Sequence, residues 1–314
     1  MWRIGHAQDH EKGTGCTVLV FPEGATASCD IRGGAPGTRE IALLGPEFTV
    51  DRINALVLSG GSARGLSAAD GVMRYCEERG WGFDSGFGVI PIVPAACLFD
   101  LSCGGSSAWP DPSMGMEACL EARPIQESPM GNCGAGTGAT VGKYSGIERS
   151  MKSGLGWARK VSGELEVFAV AVVNAFGAVR DLSGGFMAGA LVEDSIIDPG
   201  TMSGSGEIWN EWGKSTTLAA VVTNARVSKA ACSRIAIMGQ AALAGVIFPF
   251  NTPFDGDTVF CASVGEREFP TVLVGWLAAS ALEEAVRNAV LYARSAYGFV
   301  SFSDLGRVFP APGR

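Results

Sequence analysis

One stretch of the sequence, residues 214–224, joins a hydroxyl cluster to an apolar run and so limits where this chain can build its core. Ser215, Thr216 and Thr217 open a run of β-branched and small apolar residues that predicts a buried strand. The polar, glycine-rich segment before it, Asp198 to Gly213, predicts a long exposed loop. If the chain were cut before Thr216, a hydroxyl nucleophile would stand at a new N-terminus. An ordinary threonine-rich strand start explains the same residues with fewer assumptions.

The composition favours a tightly layered α/β protein. The chain has 314 residues, of which 47% are hydrophobic, 18% are charged and 44 are glycine, and this is enough to bury a large core in one big domain or two small ones. Its net charge of −8 argues against nucleic acid as a partner, because phosphate contacts need clustered Lys and Arg. No basic amphipathic stretch favours a membrane surface, and the apolar run Val272 to Leu282 is too short to span a bilayer.

Cysteine and histidine usage limits the chemistry. The nine cysteines are odd in number and contain no C-x-x-C pair, so we expect reduced thiols and a cytoplasmic protein. The first residues lack the apolar core of a signal peptide. The only histidines are His6 and His10, both expected at the surface. We therefore expect no metal or other cofactor, and a hydrolase of this sequence would work without histidine.

Hydrophobic periodicity predicts the remaining elements. We expect a hairpin of two strands, one helix after a glycine-rich turn, a second helix with Ser228 as its N-cap, and a long helix before a final strand. The predicted strands are 16–21, 25–30, 54–59, 165–174, 217–224, one from about 258, and one in the tail 299–314; the predicted helices are 66–79, 228–246 and 270–297, the last with Trp276, Leu277 and Leu282 on its apolar side. Residues 89–101 are apolar and broken by proline, so they predict an irregular buried segment in which Asp100 needs a partner.

Two glycine-rich segments imitate phosphate-binding loops without matching them. Residues 60–66 follow a predicted strand and precede a helix, but their spacing fits neither dinucleotide nor triphosphate motifs. Close packing of helix on strand explains them; alternatively, the N–H groups of Gly61 and Ser62 line a substrate pocket. Residues 131–142 are followed by Lys143 but have Thr137 where a P-loop needs its first glycine. Lys143 is then either solvated or placed to lower the pKa of a reacting group.

Three further polar residues lie at the ends of predicted strands. Asn174 closes the strand 165–174, where an asparagine is either a turn former or an amide donor to an oxyanion. Asp255 and Asp257 flank Gly256 at the start of the next strand. This pattern is common in turns and by itself is weak support for a cation site.

Taken together, these segments resemble one family. The stretches that carry the resemblance occur in family order over almost the whole chain: residues 58–63, 65–66, 68–75, 91–96, 99–101, 134–139, 172–175, 216–217, 222–224 and 254–260. They resemble the self-cleaving N-terminal-nucleophile hydrolases that include D-aminopeptidase/L-aminopeptidase D-esterase, β-peptidyl aminopeptidases and nylon-oligomer hydrolase. The closest branch is the nylon-oligomer hydrolase, whose nucleophile is threonine.

The resemblance implies an α/β fold, a layered α/β/β/α sandwich. It implies a single domain, 1–314, made as a precursor and cut between Ser215 and Thr216 into 1–215 and 216–314. Lys143, Asn174, Asp255 and Asp257 match the polar residues that surround the nucleophile in that branch. The resemblance also implies a homo-oligomer, for which a tetramer of cleaved heterodimers is one arrangement.

Two positions depart from the family pattern. Ser215 precedes the nucleophile where asparagine or glycine is frequent, and Arg64 stands where the nylon hydrolase branch has tyrosine. Arg64 then either binds a substrate carboxylate or pairs with an acid of the protein. With Gly61 and Ser62 it is a candidate substrate-binding residue. The expected activity is amide hydrolysis of short peptides or amide oligomers. The alternatives are an exo-acting aminopeptidase and a non-catalytic member that binds or assembles.

Overall fold

The computed structural model describes residues 2–105, 107, 109–201 and 215–305. In chain order, the strands are β1 (Arg3–Asp9), β2 (Thr14–Ile31), β3 (Gly37–Arg39), β4 (Arg52–Ser59), β5 (Phe83–Asp84), β6 (Val89–Ile90), β7 (Ala95–Cys97), β8 (Thr140–Val141), β9 (Met151–Lys152), β10 (Leu155–Ser162), β11 (Leu165–Asn174), β12 (Ala178–Arg180), β13 (Phe186–Ala188), β14 (Leu191–Val192), β15 (Ser195–Ile196), β16 (Thr216–Ala225), β17 (Ile247–Phe248) and β18 (Thr258–Arg267). The helices are α1 (Ala68–Glu77), α2 (Leu101–Gly104), α3 (Pro112–Leu120), α4 (Lys229–Val246) and α5 (Thr271–Leu291).

One continuous hydrogen-bonded ladder organises the molecule. Its strand order is β10-β11-β16-β18-β2-β4-β7-β3, and β1 pairs with β2. The pairs β16–β18 and β4–β7 are parallel, and the others are antiparallel. The long strand β2 belongs to both halves, because residues 14–20 pair with β1 while residues 26–31 pair with β18.

The two halves of the ladder face each other across an apolar layer. Phe168, Val170 and Val172 of β11 share one buried cluster with Leu56 and Leu58 of β4. Alternate side chains of β11 point the other way and pack against α4 and α5 in a second cluster. A third cluster packs α1 and α3 on the outer face of β1, β2 and β4. The layers therefore run α/β/β/α, as predicted.

The predicted hairpin at residues 16–30 is wrong. Both halves of β2 pair with β4, and the register passes from Val20 opposite Ala55 to Ala25 opposite Ile53. Residues 22–24 are an irregularity within one bent strand, with Gly24 at a φ of 73°. The Pro-Glu-Gly sequence suits such a bulge as well as a reversal of the chain, and only pairing with β4 decides between them.

The end of the chain also differs from the prediction. The last long helix, α5, ends at Leu291, and residues 299–305 form isolated bridges and a short 3-10 turn instead of a strand. Trp276 is 67% exposed, although we expected it on the apolar side, while Leu282 is buried as expected. Within the predicted loop 198–213, residues 202–213 lie outside the described residues, as do Lys214 and residues 306–314. Over the described part of the chain, no helix is long and apolar enough to cross a membrane.

Candidate active site

Thr216 is the first residue of β16, in the middle of the ladder. It lies opposite Asn174, the last residue of β11, in an antiparallel pair. Thr216 is 3% exposed, and its hydroxyl donates to the carbonyl oxygen of Ser215, the residue before it. The hydroxyl therefore lies beside the peptide bond at which we predicted cleavage.

One backbone N–H group donates to both the Ser215 carbonyl oxygen and Thr216 Oγ1. The N–H of Gly256 donates to the Ser215 carbonyl oxygen at 3.0 Å and to Thr216 Oγ1 at 3.2 Å. Ser215 also pairs with Asp255 in a parallel bridge. Position 256 must be glycine for close approach, since a Cβ there would lie 2.8 Å from Thr216 Oγ1 and 2.9 Å from the Ala35 carbonyl oxygen.

Asn174 and Lys143 form a buried polar pair next to Thr216. The Lys143 ammonium donates to Asn174 Oδ1 at 3.0 Å and to the carbonyl oxygens of Thr140, Asn174 and Ala175 at 2.7, 3.0 and 3.3 Å. The Asn174 amide nitrogen donates to the Phe99 carbonyl oxygen at 2.8 Å. Among the described residues, the backbone donor to the Ser215 carbonyl oxygen is thus Gly256. The Asn174 amide, one candidate from the sequence for an oxyanion donor, binds the Phe99 carbonyl instead.

Asp255 and Asp257 lie on either side of Gly256, both buried. Asp255 accepts from the N–H groups of Phe176 at 3.2 Å and Thr252 at 3.1 Å, and from the Thr252 hydroxyl. Asp257 accepts from the N–H groups of Thr217 at 2.6 Å and Asn251 at 3.0 Å. The bond from Thr217 attaches the acidic turn to β16, and the bond from Phe176 attaches it to the segment after β11.

The two carboxyl groups are poor acids in this environment. Burial raises the pKa of Asp257 well above its usual range, and the neighbouring Asp255 raises it further. Burial also raises the pKa of Asp255, against the opposing effects of hydrogen bonds from Thr252 and Phe176 and of the Lys143 charge. Two carboxyl groups so close together do not ionise independently, so the pair loses its protons in coupled steps.

The candidate substrate-binding residues lie on a loop beside this site. The N–H of Gly61 donates to Asp100, and the N–H of Ser62 donates to the Leu98 carbonyl at 2.9 Å. Phe99, between Leu98 and Asp100 in the chain, accepts from the Asn174 amide. The guanidinium of Arg64 is exposed and stacks 4.5 Å from the ring centroid of Trp109. The structure therefore connects Gly61 and Ser62 to Asn174 through residues 98–100 and places Arg64 at the outer side of the loop.

Sequence reasoning missed three contributors to the site. Gly256 contributes its backbone N–H, and Thr252 donates its hydroxyl to the Asp255 carboxylate. Lys152 is a second fully buried lysine, and it donates to backbone carbonyls of the loop that precedes Lys143. The spacing Asp-Gly-Asp was a usable signal for Gly256, because a glycine between two site acids allows close approach. No local pattern marks Lys152 or Thr252.

The expectation for His6 is wrong, and the one for His10 is confirmed. His10 is exposed. His6 is partly buried on β1, with Nδ1 2.9 Å from Thr17 Oγ1 and Nε2 2.8 Å from Ser128 Oγ. Burial, with a smaller effect of Arg123, lowers the pKa of His6 to about 4. Within the described residues, no group of three or more His, Cys, Asp or Glu side chains could hold a metal ion.

Comparison with known proteins identifies the family. The model of peptidase family S58 matches residues 2–301. A Mycobacterium bovis protein named as an uncharacterized aminopeptidase is 37% identical over 336 residues, covering 96% of this chain and 95% of the relative. A 6-aminohexanoate-oligomer endohydrolase from Kocuria sp. is 32% identical over 274 residues, covering 85% of this chain and 74% of the relative.

Solved structures show the same fold. A β-aminopeptidase from Burkholderia sp. superposes with a TM-score of 0.70 at 17% identity, covering 97% of this chain and 90% of that one. The L-aminopeptidase D-Ala-esterase/amidase from Ochrobactrum anthropi, described as a variant of the Ntn-hydrolase fold, gives 0.71 at 16% identity, covering 97% and 89%. The fold is thus that of the Ntn hydrolases, and the chain belongs to peptidase family S58, whose members hydrolyse peptide and amide bonds.

Proposed function

We propose that this chain cuts itself between Ser215 and Thr216 and then works as an N-terminal-threonine aminopeptidase on short peptides. One observation carries the proposal. The Thr216 hydroxyl oxygen and the Ser215 carbonyl oxygen are in contact, and both accept a hydrogen bond from the same backbone donor, the N–H of Gly256. A nucleophile beside a carbonyl whose oxygen is already hydrogen-bonded is the arrangement that acyl transfer needs.

Self-cleavage would begin with attack of Thr216 Oγ1 on the Ser215 carbonyl carbon. Negative charge develops on the carbonyl oxygen, where the Gly256 N–H stabilises it. The C–N bond then breaks, and the nitrogen takes the proton that the Thr216 hydroxyl loses, so that it becomes the Thr216 α-amine. Ser215 is left as an ester on Oγ1. Water hydrolyses the ester, which releases the Ser215 carboxylate and frees the hydroxyl.

In the matured enzyme the new α-amine would replace histidine as the base. Its ordinary pKa of about 7.7–8.0 lets it accept the Thr216 hydroxyl proton near neutral pH. Lys143 and Asn174 lie beside this terminus, and Asp255 with Asp257 hold the adjoining turn. We assign these four residues to positioning the nucleophile and balancing charge around it.

The relatives favour exo-cleavage over endo-cleavage. Those named aminopeptidases are 37% identical to this chain and match nearly its full length, whereas those named 6-aminohexanoate-oligomer endohydrolases are 32% identical over 85% of it. We therefore place removal of N-terminal residues first and cleavage within amide oligomers second.

Intact mass under denaturing conditions tests the proposal directly. Scaling the 32.5 kDa chain by length gives fragments of roughly 22 and 10 kDa, the smaller one starting at Thr216. Thr216→Ala should stay whole and Thr216→Ser should still be cut, because serine keeps the hydroxyl. A wild-type chain that stays whole after long incubation would overturn the proposal.

A substrate panel separates the two activities. Aminoacyl p-nitroanilides and free tripeptides report exo-cleavage, and linear 6-aminohexanoate oligomers report endo-cleavage. Faster release of N-terminal residues from peptides supports our first choice. Turnover of the oligomers alone would instead assign the endo activity.

A further inference from the structure

Two buried charges lie behind the candidate site without touching the nucleophile. Asp100 is 1% exposed and Lys152 is fully buried. Asp100 follows β7, and Lys152 ends β9, so they come from distant parts of the chain. Burying a charge is costly unless hydrogen bonds compensate, which raises the question of what these two charges hold.

Asp100 fixes the segment that binds one end of Asn174. Its Oδ1 accepts from the Gly61 N–H at 2.7 Å, and its Oδ2 accepts from the Thr14 hydroxyl at 2.7 Å. The residue before it, Phe99, accepts the Asn174 amide N–H at 2.8 Å. There is little free space around this carboxylate, because a Cβ added at Gly60 would lie 2.0 Å from Oδ2.

Lys152 fixes the segment that binds the other end of Asn174. Its ammonium donates to the carbonyl oxygens of Ala139, Gly136 and Ser153 at 2.9, 3.2 and 2.5 Å. The next residue after Ala139 is Thr140, whose N–H donates to Asn174 Oδ1 at 3.1 Å. The Thr140 carbonyl also accepts from Lys143 at 2.7 Å.

We propose that Asp100 and Lys152 are positioning residues that clamp the two ends of the Asn174 amide, through Phe99 and Thr140, and so fix Asn174 and Lys143 beside Thr216. The proposal rests on the function proposed above. It explains why the chain keeps two buried charges that have no contact with the scissile bond: each charge immobilises a glycine-containing loop whose neighbouring residue binds Asn174.

The two charges influence each other. Burial raises the pKa of Asp100 to about 6, and Lys152 opposes that rise. Burial lowers the pKa of Lys152 to about 8, against the effects of Cys103 and Asp100. The other titratable groups that face this pair are Cys97, Cys103, Cys133 and Tyr297. Both members of the pair are therefore charged between about pH 6 and 8.

The test uses the full chain with Asp100→Asn, Lys152→Met and the double variant. Matched controls are Asp84→Asn at the exposed end of β5 and Lys160→Met at a partly exposed ion pair with Glu284. The readouts are the self-cleavage rate by intact mass, kcat and KM of the matured fraction, the pH profile of kcat, and the melting temperature. We expect each single variant to lower the cleavage rate and kcat on the order of 10–100-fold, with KM little changed.

Two features distinguish positioning from loss of folding. The double variant should lose little more than the single variants, because both charges act on one amide, and Asp100→Asn should remove any acid limb of kcat near pH 6. Thr14→Val keeps the Asp100 carboxylate but removes the hydroxyl that donates to it, so the cleavage rate and kcat should fall by a smaller factor. Wild-type-like rates in Asp100→Asn and Lys152→Met would overturn the positioning role while self-cleavage stands; an uncut wild type would overturn both proposals.

Discussion

The residue before the proposed nucleophile has an unusual environment. Ser215 is fully buried, and its hydroxyl has no hydrogen-bond partner among the described residues. An unpaired buried hydroxyl destabilises a folded chain by about 1–3 kcal/mol. The position therefore suits a small side chain, and the described part of the chain offers no partner to the serine hydroxyl.

This environment predicts how substitutions at Ser215 change self-cleavage. Ser215→Ala should be cut at least as fast as the wild type, because it removes the unpaired hydroxyl. Ser215→Leu should be cut at least about tenfold more slowly, because overpacking of a closed site costs about 1–3 kcal/mol. A mass-spectrometric time course measures both rates. Ser183→Leu, at an exposed turn, is the control; equal rates for Ala and Leu at position 215 would contradict the closed site.

Family resemblance predicted the side chains of the site better than its backbone. Thr216, Asn174, Lys143 and the acid pair do come together, since ordered motifs identify side chains that a fold will gather. The donor role of Gly256 could not be predicted, because a backbone N–H has no sequence signature. The partners of Asn174 also depend on loops that meet only in the folded chain.

At the scale of elements, β1 carries a titrating group. His6 has both ring nitrogens in contact with hydroxyl groups, and its pKa in the folded chain is about 4. The unfolded chain binds a proton at His6 below about pH 6.5, whereas the folded chain binds it only below about pH 4. Stability should therefore fall as the pH decreases from 6.5 to 4, by up to about 3 kcal/mol from this group.

Comparing His6→Gln with the parent chain isolates this effect. Both proteins should carry Thr216→Ala, so that each unfolds as one uncut chain. The parent should lose stability relative to His6→Gln as the pH falls from 7 to 4.5, in urea unfolding experiments. The raised pKa of Asp100 acts in the opposite direction, but it is present in both proteins and cancels. A difference that does not change with pH would contradict the assignment.

The start of α4 is attached to a distant loop by one side chain. Lys229 donates to the carbonyl oxygens of Leu43, Phe48 and Val50 at 2.9, 2.9 and 3.0 Å. It lies beyond the far end of β16, whose 10 residues span about 30 Å from Thr216. Lys229 should therefore matter for stability and not for the reaction.

Substituting Lys229 should separate stability from self-cleavage. Lys229→Met leaves three carbonyl groups without their donor, so we expect a loss of about 1–3 kcal/mol in the free energy of unfolding. The self-cleavage rate at 25 °C should stay within about twofold of the wild type. Thermal unfolding and intact mass measure the two quantities. Lys12→Met, at an exposed ion pair, should change neither.

Local patterns predicted the elements well where one residue run sets the structure. The strand β11 has the predicted bounds, and Ser228 caps α4 by accepting from the Ala231 N–H at 3.2 Å. The predictions were wrong where contacts with other elements determine the local structure. Residues 22–24 are a bulge because β4 continues past them, and Trp276 is exposed because the core lies on the other side of α5.

At the scale of the whole molecule, the proposed cut falls inside the sheet. β16 and β18 would belong to the small fragment, while their outer neighbours β11 and β2 would belong to the large one. Both fragments also contribute to the core between the sheet and α4 and α5. The fragments should therefore remain one particle after cleavage.

Size-exclusion chromatography with denaturing mass analysis checks this expectation. The cut protein should elute as one species that contains both fragments, and the fragments should separate only in denaturant. Elution of a free 10 kDa fragment from native buffer would contradict it. The same column run with light scattering would measure the homo-oligomer that the sequence predicts.

The position of Thr216 within the ladder also changes the molecularity of folding. An uncut chain refolds as a single molecule, at a rate that does not depend on concentration. Once the bond before β16 is cut, the central strand must find its neighbours on a separate chain, and refolding becomes a second-order reaction. Maturation would then make unfolding practically irreversible at low concentration, so the lifetime of the enzyme would depend on its unfolding rate.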